Sequence, residues 1–421
     1  MNTYRQAYTI KESFIFKDFM SFKLIHTPYY YYYEISLYFN IYVFPKGVVC
    51  DMKLVCSKSN LLKGVNIVSK AVPVRTTMAI LECILIDASI DEIKLTANDM
   101  ELGIETIIDG DILEPGIIAL DARIFSEIIR KLPDNEVTIE TDSSFKTLIT
   151  CEKAKFNIIG KSGEDFSYLP EVERKDSICM SQFTLKEAIH QTIFSIADNE
   201  NNKIMSGELF EINENQFKIA SLDGHRISIR NIELKENYEY KKVIVPGKTL
   251  NEISKILPGS SEDDVTLFIT DNHIIFEFDC TTVVSRLIEG EYFKIEQMLS
   301  SDYETKIRIN KKDLLDCIDR ASLLIKEGDK KPIIMNITDT SMELKINSFI
   351  GSMNEEIDIE KEGKDILIGF NPKFYIDALR VIDEEEITIY MVNPKAPCFI
   401  KDERESYIYL ILPVNFNVSA Y

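Results

Sequence analysis

The strongest constraint on this chain is that it repeats itself with a period of about 125 residues. The segments "IIALDARIFSEIIRKLPDNEVTIE" (117–140), "VIVPGKTLNEISKILPGSSEDDVTLFI" (243–269) and "ILIGFNPKFYIDALRVIDEEEITIY" (366–390) share one order: apolar strand, short helix, acidic turn, then a strand with a β-branched start. The equivalent positions Leu132, Leu257 and Ile382 are 125 residues apart both times. Self-similarity at a fixed period means that one supersecondary unit is built several times over, so the chain is read as three like domains.

A second set of helices keeps the same period. The segments "SNLLKGVNIVSKAV" (59–72), "TLKEAIHQTIFSIA" (184–197) and "KKDLLDCIDRASLL" (311–324) place apolar residues at i, i+4 and i+7 or i+8, for example Leu61, Val65 and Val68, or Leu314, Ile318 and Ala321. Each is an amphipathic helix with one apolar stripe. Alternating segments such as "EIKLTAND", "QFKIASLD" and "MELKINSF" fill the gaps as strands. The expected fold is therefore α+β. Domains at 52–175, 176–303 and 304–421 each carry two helices and about eight short strands, with the helices covering one side of extended antiparallel sheets.

One hairpin recurs in all three units, as "TANDMELGI", "SLDGHRISI" and "NSFIGSMNE", with Asp99, Asp223 and Ser348 in equivalent places. Asp223–Gly224 supplies turn chemistry, because glycine adopts positive φ without steric cost. Only the middle copy puts His225 and Arg226 after the glycine. An Asp–His pair raises the question of a catalytic base. Yet the chain has no nucleophile motif, no glycine-rich phosphate loop and no metal-ligand spacing, so an enzymatic reading has no support. The eight cysteines are dispersed singly without a C-x-x-C pair, and the four histidines lie far apart. That argues against zinc and for free thiols in a reducing compartment.

Residues 1–51 stand apart from the repeats. The run "YYYYYEISLYFNIYVF" (29–44) is aromatic and of low complexity, and Glu34, Ser36 and Asn40 make it a poor membrane span. No cleavable secretory leader is evident either. The expectation is a disordered extension, or translated upstream sequence with the true start at Met52.

With the repeats in place, the chain resembles the bacterial sliding clamp, the beta subunit of DNA polymerase III. The likeness runs from Met52 to about Phe416 and rests on "MKLVCSKSNLLKGVNIVSKAVPVRTTMAIL", "DFSYLP" (165–170), "DGHR" and "YLILPVNF" (409–416) taken together. The resemblance implies a non-catalytic processivity factor of the cytoplasm. Two three-domain chains would close head to tail into a six-domain ring around double-stranded DNA. The ring would tether the polymerase III alpha subunit, the clamp loader and other proteins that carry a short clamp-binding peptide. No cofactor or nucleotide is implied. A clamp-like paralogue with a specialised replication or repair role is the alternative, and a trimeric ring is disfavoured because two chains already supply six domains.

By resemblance, the peptide groove would be walled by Met205, Leu222, Gly224, His225, Arg226 and Ile227 on one side. The other side would be Phe293, Gln297 and Met298 with Leu410, Leu412, Pro413 and Val414 of the tail. Phe293 stands where the family commonly has proline, and Gln297 where it often has a basic residue. Arg75 and Lys203 match DNA-facing loop positions; Lys63, Lys70, Arg123, Arg130, Lys248, Lys255, Lys373 and Arg380 are added from the helices. Phe156 and Ile158 would meet Leu323 and Leu324 of the other subunit, with Lys153 and Lys155 pairing to its acidic residues.

Charge alone speaks against a DNA partner, because the chain carries −21. The distribution changes that inference. The six helical segments together hold +5 over 76 residues, which leaves −26 for the rest. A mildly basic bore in an acidic shell suits a ring held by topology, where tight phosphate contacts would only impede sliding.

Overall fold

The computed structural model describes residues 51–197, 202–299, 302–326 and 331–416. The expected extension up to residue 50, and residues 417–421, lie outside the described residues. The first repeat runs β1 (Met52–Ser57), α1 (Lys58–Val68), β2 (Cys83–Asp87), β3 (Ile93–Asn98), β4 (Leu102–Ile108), β5 (Asp111–Glu114), β6 (Ile117–Asp121), α2 (Ala122–Lys131), β7 (Glu136–Thr141), β8 (Lys146–Cys151), β9 (Ala154–Ile159) and β10 (Lys161–Ser162). The second runs β11 (Ile178–Ser181), α3 (Gln182–His190), β12 (Gly207–Leu222), β13 (Arg226–Pro246), α4 (Gly247–Ile256), β14 (Asp264–Ile269), β15 (His273–Phe278) and β16 (Thr281–Arg286). The third runs β17 (Thr305–Asn310), α5 (Lys311–Ser322), β18 (Ile333–Ile337), β19 (Ser341–Asn347), β20 (Ser352–Asp358), β21 (Glu360–Gly363), β22 (Ile366–Phe370), α6 (Pro372–Val381), β23 (Glu386–Met391), β24 (Cys398–Lys401) and β25 (Tyr407–Ile411).

Five of the six helices start where the sequence offers an acceptor; α4, which follows Pro246, has no side-chain cap. Ser57, Asp121, Ser181, Asn310 and Asn371 each take a backbone N–H of the first turn, which satisfies a donor the helix itself cannot. The apolar stripes then bury Leu61, Val65 and Val68, or Leu314, Ile318 and Ala321, and the helices pack in pairs within each repeat.

Two expectations need correction. The helix read over 184–197 stops at His190. Thr192 turns its hydroxyl back onto the Ala188 carbonyl (2.8 Å) and a short 3₁₀ turn, Ile193–Ser195, follows. About eight short strands per repeat is also wrong for the middle copy, where segments separate elsewhere fuse into β12 (16 residues) and β13 (21 residues).

The sheets do not respect the repeat boundaries. A nine-stranded sheet, β10-β6-β2-β3-β4-β16-β15-β14-β11, joins repeats one and two through β4 and β16. A seven-stranded sheet, β12-β13-β25-β24-β23-β17-β21, joins repeats two and three through β13 and β25. The five-stranded sheet β5-β1-β7-β8-β9 and the four-stranded sheet β20-β19-β18-β22 end on the unpaired edges β9 and β20.

Candidate functional site at the second seam

The hairpin turns are built alike. Asp99 Oδ1 accepts from the N–H groups of Glu101 and Leu102, Asp223 Oδ1 from His225 and Arg226, and Ser348 Oγ from Ile350 and Gly351. Gly224 holds φ at +86°, where a side chain would be strained. The turn is thus explained without function, and what the middle copy adds is its side chains.

Arg226 is buried and fully engaged. Its Nε donates to Asp223 Oδ2 (2.9 Å), Nη1 to Asp377 Oδ2 (2.6 Å) and Nη2 to the Phe194 carbonyl (2.5 Å). The guanidinium also lies between two rings, 4.7 Å from the Phe374 centroid and 5.3 Å from that of Phe194. Three separate segments therefore converge on it: the hairpin, the 3₁₀ turn after α3, and α6 of repeat three. His225 is exposed and stacks on Phe374 at 6.0 Å, while its carbonyl accepts from Leu412 N–H (2.9 Å). Phe374 and Asp377 were not among the sequence candidates; they lie about 150 residues away, and only the seam brings them here.

Removing the Arg226 side chain leaves two carboxylates facing a void. Arg226→Ala is expected to cost roughly 3 kcal/mol, as for other broken buried pairs, and to weaken peptide binding at this seam while the elution volume stays that of the parent. Asp377→Asn keeps an acceptor and should lose about 1 kcal/mol. Thermal melts with a peptide titration check both.

Around this clasp, Leu222, Ile227 and Leu410 form a buried apolar cluster with Phe399, against which Met205, Phe293 and Leu412 are partly buried. Cross-strand neighbours continue it in one row, Leu222–Ile227–Leu410–Phe399–Tyr390. Gln297 and Met298 are exposed beside it. Val414 is drawn elsewhere: its N–H donates to Gly369 (2.8 Å) on β22, and it shares a cavity of about 440 Å³ with Ile366, Leu367 and Phe416 of repeat three. Pro413 is half-buried between these two attachments.

The equivalent face at the first seam is already covered. Leu169 and Val172 of the linker lie on Phe268, Ile275 and Val284. Leu169 sits over Gly103, where any Cβ would overlap it. At the second seam Ile227 replaces Gly103, and Leu222 replaces Asn98. Ile295, three residues beyond the buried Tyr292 as Leu169 is beyond the buried Phe166, packs into the cluster of Leu222 and Ile227, while the next residue, Glu296, turns out to Lys218 (2.9 Å). The floor itself is 3–5% exposed, and what faces outward is its rim: Met205, Phe293 and Leu412, half-buried, and Met298, exposed.

All ten basic candidates are exposed. Arg130, Lys248, Lys255 and Arg380 are ion-paired to Glu127, Asp99, Glu252 and Asp319. Arg75, Lys63, Lys70, Arg123, Lys203 and Lys373 pair with no described carboxylate. On the edges, Phe156 is 38% and Leu323 78% exposed, which is unusual for such side chains unless another surface covers them. Ile158 and Leu324 are half-buried, and Lys153 and Lys155 are exposed. Seven described cysteines are free, but Cys179 and Cys280 are exposed and not buried. No helix among the described residues is long and apolar enough to cross a membrane.

Three family models match the chain in order: the N-terminal domain of the DNA polymerase III beta subunit over 52–170, its central domain over 179–294 and its C-terminal domain over 296–415. Beta sliding clamps of Staphylococcus epidermidis and Staphylococcus aureus are each 35% identical over 374 residues, covering 86% of this chain and 99% of theirs. A crystal structure of a DNA polymerase III beta subunit from Eubacterium rectale is 79% identical with a TM-score of 0.85, covering 87% of this chain and 100% of that one. The sliding clamp of Bacillus subtilis is 34% identical with a TM-score of 0.84 over the same shares.

Proposed function

This chain belongs to the DNA polymerase III beta subunit family, the bacterial beta sliding clamps, and from that premise we propose how its residues divide the work. It is a DNA sliding clamp for the polymerase and catalyses nothing itself. The proposal concerns where it closes, what it holds and what it touches, within domains bounded at 52–175, 176–303 and 304–421. Its place is the cytoplasm, where a bacterial replisome works.

The repeat supports a specific closure. Glu152, Asp279 and Glu405 are equivalent, each at positive φ (+51°, +47° and +52°) just before the strand that ends its repeat. Leu102, Arg226 and Gly351 are equivalent at the other side, each carbonyl accepting from its hairpin aspartate or serine N–H. The first seam pairs Ile104 with Val283 and the second pairs Ser228 with Tyr409, at the same offset from these marks. Carried once more, the offset pairs Met353 of one chain with Phe156 of another, Gly351 with Ile158, and Glu356 with Lys153. The joined sheet would have nine strands, eight of them in the order of the first seam's sheet. Two such junctions close two chains into a ring, and Leu323 and Leu324 at the end of α5 become its flank.

One observation carries the groove. Of three equivalent outer faces, the first is capped by its own linker and the third would be polar (Ser352, Asn157, Glu140, with Leu148 alone apolar). Only the second carries an apolar row, Leu222, Ile227, Leu410 and Phe399, whose outer neighbours Met205, Phe293, Leu412 and Met298 reach the surface for a partner. Two or three apolar anchors in such a floor dominate affinity for a short peptide. Met205, Phe293, Met298, Leu412 and Pro413 form its rim, with Gly224 and His225 at one corner. Val414 holds the tail in place from behind. The six cations without an ion pair among the described residues are the first candidates for DNA contact, with Lys248, Lys255, Arg130 and Arg380 moderated by their carboxylates.

Leu412→Asp tests this reading. It should abolish binding of a clamp-binding peptide by fluorescence anisotropy and stop stimulation of the polymerase on primed circular DNA, with the elution volume unchanged. Undiminished stimulation would move the groove elsewhere.

A further inference from the structure

The linker over the first seam is attached like a ligand. Phe166 anchors its start in a small buried cluster with Cys83, Leu85 and Ala119. Asn98 Nδ2 then donates to the Ser167 carbonyl (3.1 Å), Leu169 covers Gly103, Val172 shares the floor of Phe268, Ile275 and Val284, and Arg174 Nε donates to Glu277 Oε1 (2.6 Å). From residue 166 to 177 the segment has no helix or strand of its own, and Leu169 and Val172 are only half-buried. The floor beneath is 1–9% exposed, and its strands pair without the linker's help. A pre-formed apolar face is thus covered by a single layer of extended chain. Its place in the repeat is the one the apolar row of Leu222, Ile227, Leu410 and Phe399 holds at the second seam.

We propose that the outer face of the first seam is a second peptide-docking site, kept closed by the chain's own linker. The built-in occupant states the chemistry a partner must bring: an extended peptide with leucine, an apolar residue three positions on and a cation two beyond that, as in Leu169, Val172 and Arg174. Gly103 admits the leucine, Asn98 reads the backbone before it, and Glu277 pairs with the cation. The second seam cannot take this ligand in the same way, because Ile227 fills the glycine's space and Leu222 cannot donate as Asn98 does. Tethering at both ends gives the linker an effective concentration of about millimolar, so a free peptide of like affinity is excluded until the linker is loosened.

The test uses the full-length protein and a fluorescein-labelled peptide of residues 165–176. Leu169→Gly with Arg174→Ala removes the linker's knob and its ion pair. This variant should bind the probe at least about ten-fold more tightly than the parent, since its tethered competitor is weakened. Adding Gly103→Ala, whose methyl takes the leucine's space, should cancel the gain, and Glu277→Gln should reduce it. Leu412→Asp should leave this binding untouched, so the groove reading and this one fail separately. A variant that melts and elutes like the parent yet binds no more probe overturns the proposal, as does a gain that survives Gly103→Ala. Should the double variant melt early, Arg174→Ala alone is read instead, with a gain of about three-fold expected on the same tether argument; no gain there overturns it too.

Discussion

Phe156→Asp is expected to convert the ring into single chains at micromolar concentration. At the junction inferred from the repeat, Phe156 faces Met353 in a closely spaced, non-hydrogen-bonded pair. A carboxylate placed there is desolvated without a partner, at a cost of several kcal/mol. Both junctions of a two-chain ring carry the change, so about 3 kcal/mol at each becomes about 6 kcal/mol per ring. That is more than four orders of magnitude in the dissociation constant. Each chain should stay folded, because Phe156 is on an edge strand and already 38% exposed. Sedimentation of the variant and of Leu323→Asp reads the result, and a dimer that persists in both misplaces the junction.

The second large effect is a dependence of stability on pH through Glu208. This residue is the second of β12 and is wholly buried, and neither carboxylate oxygen has a hydrogen-bond partner among the described residues. The Thr192 hydroxyl beside it is committed to the Ala188 carbonyl. Burial pushes the carboxyl from 4.5 up to about 8. An acid with a raised folded value is protonated in the fold while the unfolded chain ionises. Its penalty is absent below about pH 4.5, grows as pH rises, and levels off above about 8. The upper bound is on the order of 5 kcal/mol. Glu208→Gln should therefore gain stability over the parent with rising pH, with little difference at pH 4.5 and a gain of a few kcal/mol at pH 8. Denaturant melts of the two proteins at both pH values decide it; a constant difference would mean that Glu208 is charged, or paired, in the fold.

Much of the architecture could be read from periodicity, for reasons that are local. A helix that must bury Leu314, Ile318 and Ala321 shows that stripe in sequence, and a hairpin that needs positive φ at its turn shows Asp223–Gly224. The end of α3 could not be read, because Thr192 is compatible with a helix until its hydroxyl is seen on the Ala188 carbonyl. The partners of Arg226 were equally hidden. Asp377 and Phe374 read as ordinary residues of an amphipathic helix, and only the pairing of β13 with β25 brings α6 to the hairpin. Val414 looked like a groove residue beside Leu412 and Pro413. The strand partner that draws it away, Gly369, carries no signal beyond its missing side chain, which leaves room for Phe416 within 2.7 Å of where a Cβ would stand. Sequence patterns thus report what a segment does for itself. What seams do depends on register, which becomes visible only once two repeats are paired.

The ring we propose closes through β20 and β9 and holds DNA by topology. The direct measurement is a Phe156→Cys, Met353→Cys protein loaded by a clamp loader on nicked circular DNA, oxidised, washed in high salt and then treated with an enzyme that linearises the circle. A covalent dimer is expected, one that stays with the circle through the wash and leaves once the DNA has ends. A dimer that fails to cross-link, or one that washes off the intact circle, or one that remains on linear DNA, would contradict it.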